Sequence, residues 1–255
     1  YYLARIDLAD TDFEAVVAVR RVPQYWLDAM EQETPELDEP VSVDGMYLKF
    51  FGDIDRPQLL FVARRIHWRP DREIPEMNIG SDQLRLAELG LDLSLLEDLK
   101  QSNRRELGDL DREPQYQLLD LVGRTPLKKL FPESPPEIDV VALLKEPEKH
   151  HGEMMAVSGF AQRITKITVE DPDIRARFGI THYYEIDLGV NLGKKTIRIV
   201  DNPQDKKRDA AKKEIDAQQE EKKPDEKKTD ENADQVFNNE YPVTICVREL
   251  EPGLE

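Results

Sequence analysis

With 255 residues, the chain has room for one large domain or two ordinary ones. A 39% hydrophobic content can build a core, and 53 acidic against 36 basic residues leave a net charge of −17. That charge repels polyanions and anionic bilayers, which sets nucleic acid and unaided membrane docking aside, and a single cysteine, Cys246, excludes an intramolecular disulfide.

No apolar run reaches the roughly 20 residues a membrane helix needs. In chain order, "YLARIDL" (2–8) and "FEAVVAVRRV" (13–22) read as two strands around a polar turn, supported by β-branched Val16, Val17 and Val19. Residues 23–40 form a short helical or irregular connection bounded by prolines. "VSVDGMYLKFF" (41–51) and "PQLLFVARRIHW" (57–68) then read as a hairpin with a loop of about five residues.

The period changes after residue 80. Ser81 and Asp82 are cap-type residues before a helix, and Asp92 precedes a second, in which Leu93, Leu96 and Leu99 share a face. A third helix is read over 113–123, with Pro114 near its start and Gly123 at its stop. A fourth spans 138–147 with Asp139 as N-cap. Strands return in 154–170, 182–188, 194–200 and 241–250. Gly159 marks a bulge or bend inside the first of these. Residues 201–235 carry 12 acids and 9 bases around one large apolar residue, Ile215, and are expected to be a disordered charged insertion in a hairpin.

Two phrases recur. "RIDL" (5–8) is echoed by "EIDL" (185–188), each after paired tyrosines, and "VAVRRVP" (17–23) by "ICVRELEP" (245–252). A third echo sets "VSVDGMYLK" (41–49) against "MAVSGFAQR" (155–163). Such self-similarity predicts tandem modules, and the chain then reads as a fragment of a longer polypeptide. A piece of this kind fits a bacterial cell envelope; a self-contained protein fits the cytoplasm.

A long strand bent at a glycine, a helical turn at "DPDIRARFG" (171–179) and three further strands resemble the OB-fold, a five-stranded Greek-key barrel. The expected architecture is α+β: a partial β module over 1–75, a helical connection over 76–149, and an OB-like β module over 150–255. The resemblance implies ligand binding across one barrel face.

Three chemistries stand side by side. Tyr183 and Tyr184 offer a stacking platform, with one ring in the core and one exposed, for an anionic or saccharide ligand. "ARRIHWR" places Arg65, His67 and Arg69 on one strand face as its basic partner, with Arg64, Ile66 and Trp68 on the other. His150, His151, His182 and Glu185 are the residues from which a metal-dependent hydrolase would be assembled. No Walker loop, dinucleotide loop or nucleophile elbow is present, so no cofactor and no catalytic residue is assigned, and Cys246 reads as a small buried hydrophobe. The resulting expectation is a non-enzymatic structural or interaction module that binds a protein partner or other modules of its own polypeptide.

Overall fold

The computed structural model describes residues 1–11, 13–31, 37–52, 58–103, 105, 107–199 and 235–250. The expected insertion over 201–235 therefore lies, but for Gln235, outside the described residues. Contacts divide the chain into two units. One comprises Tyr1–Val157, Ile164–Ile186 and Ile245–Glu255, and the other Ser158–Arg163 and Asp187–Thr244.

The first unit is built on a sheet of β1 (Tyr2–Asp7), β2 (Glu14–Arg21), β4 (Gly45–Phe51) and β5 (Gln58–Arg65), in the order β1-β2-β5-β4. β1 and β2 are an antiparallel hairpin, from Tyr2 opposite Val19 to Asp7 opposite Glu14. Its turn is closed by the Leu8 N–H donating to Phe13 C=O at 3.1 Å, with Asp10 at φ +61°. β4 and β5 are also antiparallel. β2 and β5 join the two hairpins in parallel, Glu14 opposite Gln58 and Arg21 opposite Arg65. A parallel pair needs a long crossover, here containing α1 (Gln24–Met30) and β3 (Val41–Ser42), which pairs with β6 (His67–Trp68). Ala15, Val16, Val17 and Val19 of β2, a central strand, are all buried.

The core lies on one face. Val17, Val19, Ala63, Ile66 and Trp68 pack with Leu86, Leu91, Leu93, Leu96 and Leu121 from the helical segment. That segment contains α2 (Ser81–Glu88), α3 (Ser94–Ser102), α4 (Asp109–Arg124), α5 (Leu127–Leu130) and α6 (Val140–Lys145). Asp139 caps α6 as expected, accepting the Val141 N–H at 3.0 Å. α4 starts a full turn before the expected residue 113. Asp111 accepts the Gly108 N–H at 2.8 Å and the Ser102 hydroxyl, an N-terminal cap assembled partly from another helix. Gly123 lies inside α4 rather than ending it.

β7 (Phe160–Thr168), β8 (His182–Ile199) and β9 (Gln235–Val247) form a three-stranded sheet in that order. α7 (Pro172–Phe178) is capped by Asp171, which accepts the Asp173 N–H at 2.8 Å, and it ends at Gly179 with φ +64°. The chain is thus α+β. None of its sheets closes into a barrel among the described residues: the four-stranded sheet leaves β1 and β4 as edges and the three-stranded sheet leaves β7 and β9. Of the echoed segments, β1 and β2 are neighbours, as are β8 and β9. β7 borders β8, whereas β4 lies at the opposite edge from β1.

Gly159 precedes β7 instead of bending it. A Cβ there would sit 2.7 Å from the Gly189 carbonyl oxygen, so the residue is held to glycine by a close backbone approach. Replacement Gly159→Ala is expected to destabilise the fold by about 1–3 kcal/mol and to speed amide exchange in β7 and β8. Urea unfolding with hydrogen exchange checks this, and unchanged protection would refute it.

Candidate functional site

The basic stretch at the end of β5 is organised by one buried carboxylate. Asp92 is 1% exposed. Its Oδ1 accepts the Trp68 N–H at 3.0 Å, the Ser94 N–H at 3.1 Å and the Ser94 hydroxyl at 2.7 Å. Its Oδ2 lies 3.2 Å from His67 Nδ1 and 3.8 Å from Arg65 Nη1. His67 Nε2 in turn lies 3.3 Å from Asp44. The hydrogen bond that His67 donates to Asp92 raises the His67 pKa above its ordinary value against the effect of burial. Burial pushes Asp92 up, but hydrogen bonds from His67, Ser94 and the Trp68 amide outweigh it and leave its pKa lowered.

Serine, histidine and aspartate meet here in the wrong order for nucleophilic catalysis. The Ser94 hydroxyl donates to the carboxylate, whereas a general base would have to accept its proton at the imidazole. The arrangement fixes backbone and charge.

Beside it lies a cleft of about 340 Å³ lined by Arg20, Arg21 and Arg65 with Gln24, Glu97 and Asp98. Its ion pairs are long: Arg21 to Asp98 is 3.9 Å and Arg65 to Asp98 is 3.4 Å. Elsewhere Arg72–Glu39 and Arg112–Asp171 close to 2.6 and 2.7 Å. Arg65 Nη1 is buried without a hydrogen-bond partner among the described residues. Burial raises the pKa of Glu97, which accepts the Gln24 N–H at 2.8 Å and so caps α1.

The sheet face turned away from the core is the second feature. Strand register aligns Leu3, Ala18, Val62 and Met46 across all four strands. Leu3 is 72%, Val62 43% and Met46 70% exposed. One row along on the same face stand Arg5, Val16, Leu60 and Lys49. On the other side stand Arg20 and Arg64, both exposed, with the Arg20 guanidinium 5.8 Å from the Tyr1 ring centroid. Asp7 and Glu14 lie beyond the Arg5 row, with Glu14 held by Gln58 and by Arg5 at 3.9 Å.

Of the residues expected to bind a ligand, Arg65 and His67 meet at Asp92, while Arg69 is exposed. Tyr183 and Tyr184 are both buried, at 6% and 7% exposure, so the expected exposed ring does not exist. β8 is covered on both sides there. Tyr183 packs edge-on against Tyr116 of α4, and Lys166 and His182 lie over Tyr184. The Tyr183 phenol, buried and bonded to Glu185 at 3.2 Å, has its pKa pushed up to about 12.

His150 pairs with Glu153 at 2.7 Å, and burial lowers the pKa of His151. His182 contacts Thr181 at 3.1 Å. Among the described residues no three His, Cys, Asp or Glu side chains converge to hold a metal, so His150, His151, His182 and Glu185 are not brought into one cluster. Cys246 is exposed rather than buried, as β9 is an edge strand. The outer-face row escaped the sequence reading because it exists only once the four registers are known; the alternation of Leu3, Arg5 and Asp7 was its one local sign.

Compared with known proteins, the chain matches no family model, no curated protein and no solved structure. No helix among the described residues is long and apolar enough to cross a membrane.

The His67–Asp92 pair gives a signed pH dependence. A histidine whose folded pKa is raised contributes stability that is full below about pH 6.5 and is lost as pH rises through the folded value. The stability difference between the wild type and His67→Gln is therefore expected to shrink as pH rises from 6 towards 8. A difference constant across that range would refute the pairing. Asp92→Ala, which strips Trp68 and His67 of their acceptor, is expected to cost about 3 kcal/mol or more in urea unfolding.

Proposed function

We propose that this chain is a non-enzymatic protein-interaction module that docks a partner on the outer face of the β1-β2-β5-β4 sheet. The supporting observation is the apolar row of exposed Leu3, Val62 and Met46 with half-buried Ala18 between them, which runs edge to edge across the sheet. Single exposed apolar side chains are ordinary on any surface, but a contiguous row framed by charge is the composition of an interface. The Ser94–Asp92–His67 order also supports a binding rather than a catalytic reading. The chain order β7, α7, β8, β9 is in keeping with an open OB-like module over 150–255, and the face on the sheet of residues 2–65 serves as one contact among modules or with a separate protein.

A photo-reactive residue at Val62, introduced in the cells that naturally make the protein, is expected to give one discrete cross-linked species. That species is expected to disappear when Leu3→Glu is added, a surface change that shifts stability by no more than about 0.5 kcal/mol. The control position is Val122 on α4, which is 50% exposed. No adduct at Val62, or the same adducts from Val122, would overturn the reading.

A second reading rests on the loosely paired arginines of the cleft, which favour a small carboxylate or other compact anion. Thermal-shift titration with succinate and phosphate, repeated on Arg21→Gln, decides it. A shift that the variant abolishes supports the site, and no shift removes it.

A further inference from the structure

The chemistry of the outer face specifies what kind of segment it holds. We infer that its occupant is an amphipathic helix with acidic residues along both edges of its apolar stripe; the inference rests on the docking reading above and deepens it.

Three properties of the face carry the argument. The first is size. Four strands at spacings of about 4.8 Å make the apolar row roughly 14 Å long, which matches some nine or ten residues of helix at 1.5 Å each. Apolar side chains at i, i+3, i+7 and i+10, rising by about 4.5, 10.5 and 15 Å, would lie over Leu3, Ala18, Val62 and Met46 in turn. The second is charge. Arg5 and Lys49 stand one row to one side and Arg20 and Arg64 one row to the other, each row displaced by about 6.8 Å along the strands. A helix about 10 Å across has its flanks about 5 Å from its axis, so glutamates on those flanks reach outward over the remaining distance of about 2 Å to meet all four cations. The nearby acids are already engaged: Glu14 by Gln58 and Arg5, and Asp44 by His67 at 3.3 Å, which leaves Asp7 at the far end of the face. The third is contrast. The chain as a whole carries −17, so an acidic segment is repelled by the rest of the surface and favoured here, which fixes where it docks.

The same features exclude the other occupants. A second copy docking face to face would set Arg5, Arg20, Arg64 and Lys49 against themselves. An added strand on β4 would meet a register break between Tyr47 and Lys49, an irregularity that blunts an edge. Single-stranded nucleic acid needs rings to stack on, and the row is aliphatic; Tyr1, the ring beside it, lies under the Arg20 guanidinium.

The test uses the full chain and four fluorescent probes read by anisotropy. They are a leucine-striped helical peptide edged with glutamate, the same peptide edged with lysine, the glutamate peptide broken by proline, and oligo-dT. The glutamate-edged helix is expected to bind tightest and to weaken as salt is raised. Arg20→Glu with Arg64→Glu is expected to weaken it about tenfold or more and to let the lysine-edged peptide bind instead. Arg5→Glu with Lys49→Glu, on the opposite row, is expected to repeat that exchange, and circular dichroism confirms that each variant is folded. Preference for the lysine peptide, equal binding of the proline-broken peptide, binding of oligo-dT alone, or no binding by any peptide would overturn the inference. A Val62 adduct whose cross-linked segment is not an acid-edged helix overturns it too while leaving the docking face standing; loss of the adduct altogether removes both.

Discussion

The buried Asp92 carboxylate is the interaction on which the first unit depends. It takes the amide of Trp68 from the strand side, the amide and hydroxyl of Ser94 from the start of α3, and the imidazole of His67. One group thereby ties the end of the sheet to the helix that covers it. A charge at 1% exposure survives only because each oxygen is occupied; with fewer donors, desolvation would raise its pKa and neutralise it. Trp68, itself 1% exposed, is held by its backbone at Asp92 and by its indole N–H at Glu39, and the core packs around it. The basic stretch that reads as a ligand contact is therefore partly consumed by the fold, and the charge left over for a partner stands on the other side of the sheet.

The two sides of that sheet share one sequence device with opposite outcomes. Alternation in β1 sends Ala4 and Ile6 to the core and Leu3 and Arg5 outward, and register then lines the outward residues up with those of β2, β5 and β4. The core side is covered by helices. The outer side keeps Leu3, Val62 and Met46 exposed between cationic rows, and it is the surface on which the proposed partner would dock.

The local elements were legible where one segment settles its own structure. The strands at 2–7, 14–21 and 58–65 follow from alternation and β-branching, and α6 and α7 from the aspartates that cap them. Legibility stopped where a distant residue decides. α4 begins early because Asp111 joins Ser102, Tyr183 and Tyr184 are both buried because α4 and Lys166 cover the two faces of β8, and the four-stranded sheet is joined by a parallel seam that no local pattern announces. Arg65 and His67 were visible as a basic stretch; their acid, 25 residues from His67, was not. The outer-face row was hidden for the same reason, since its members come from four separate strands.

That parallel seam also shapes how the chain reaches its fold. Each flanking hairpin pairs near neighbours and forms by local closure, whereas Glu14 and Gln58 at the seam are 44 residues apart. Closing a loop of that size costs on the order of 3 kcal/mol of chain entropy before any seam contact repays it. Topology therefore assigns the slow step to the docking of two preformed hairpins, with β2 and β5 exposing their valines and leucines to solvent until it is complete. The outer row exists only after that step, because Leu3 and Ala18 arrive with one hairpin and Val62 and Met46 with the other. A partner that binds all four recognises the joined sheet alone, and its binding reports completed folding.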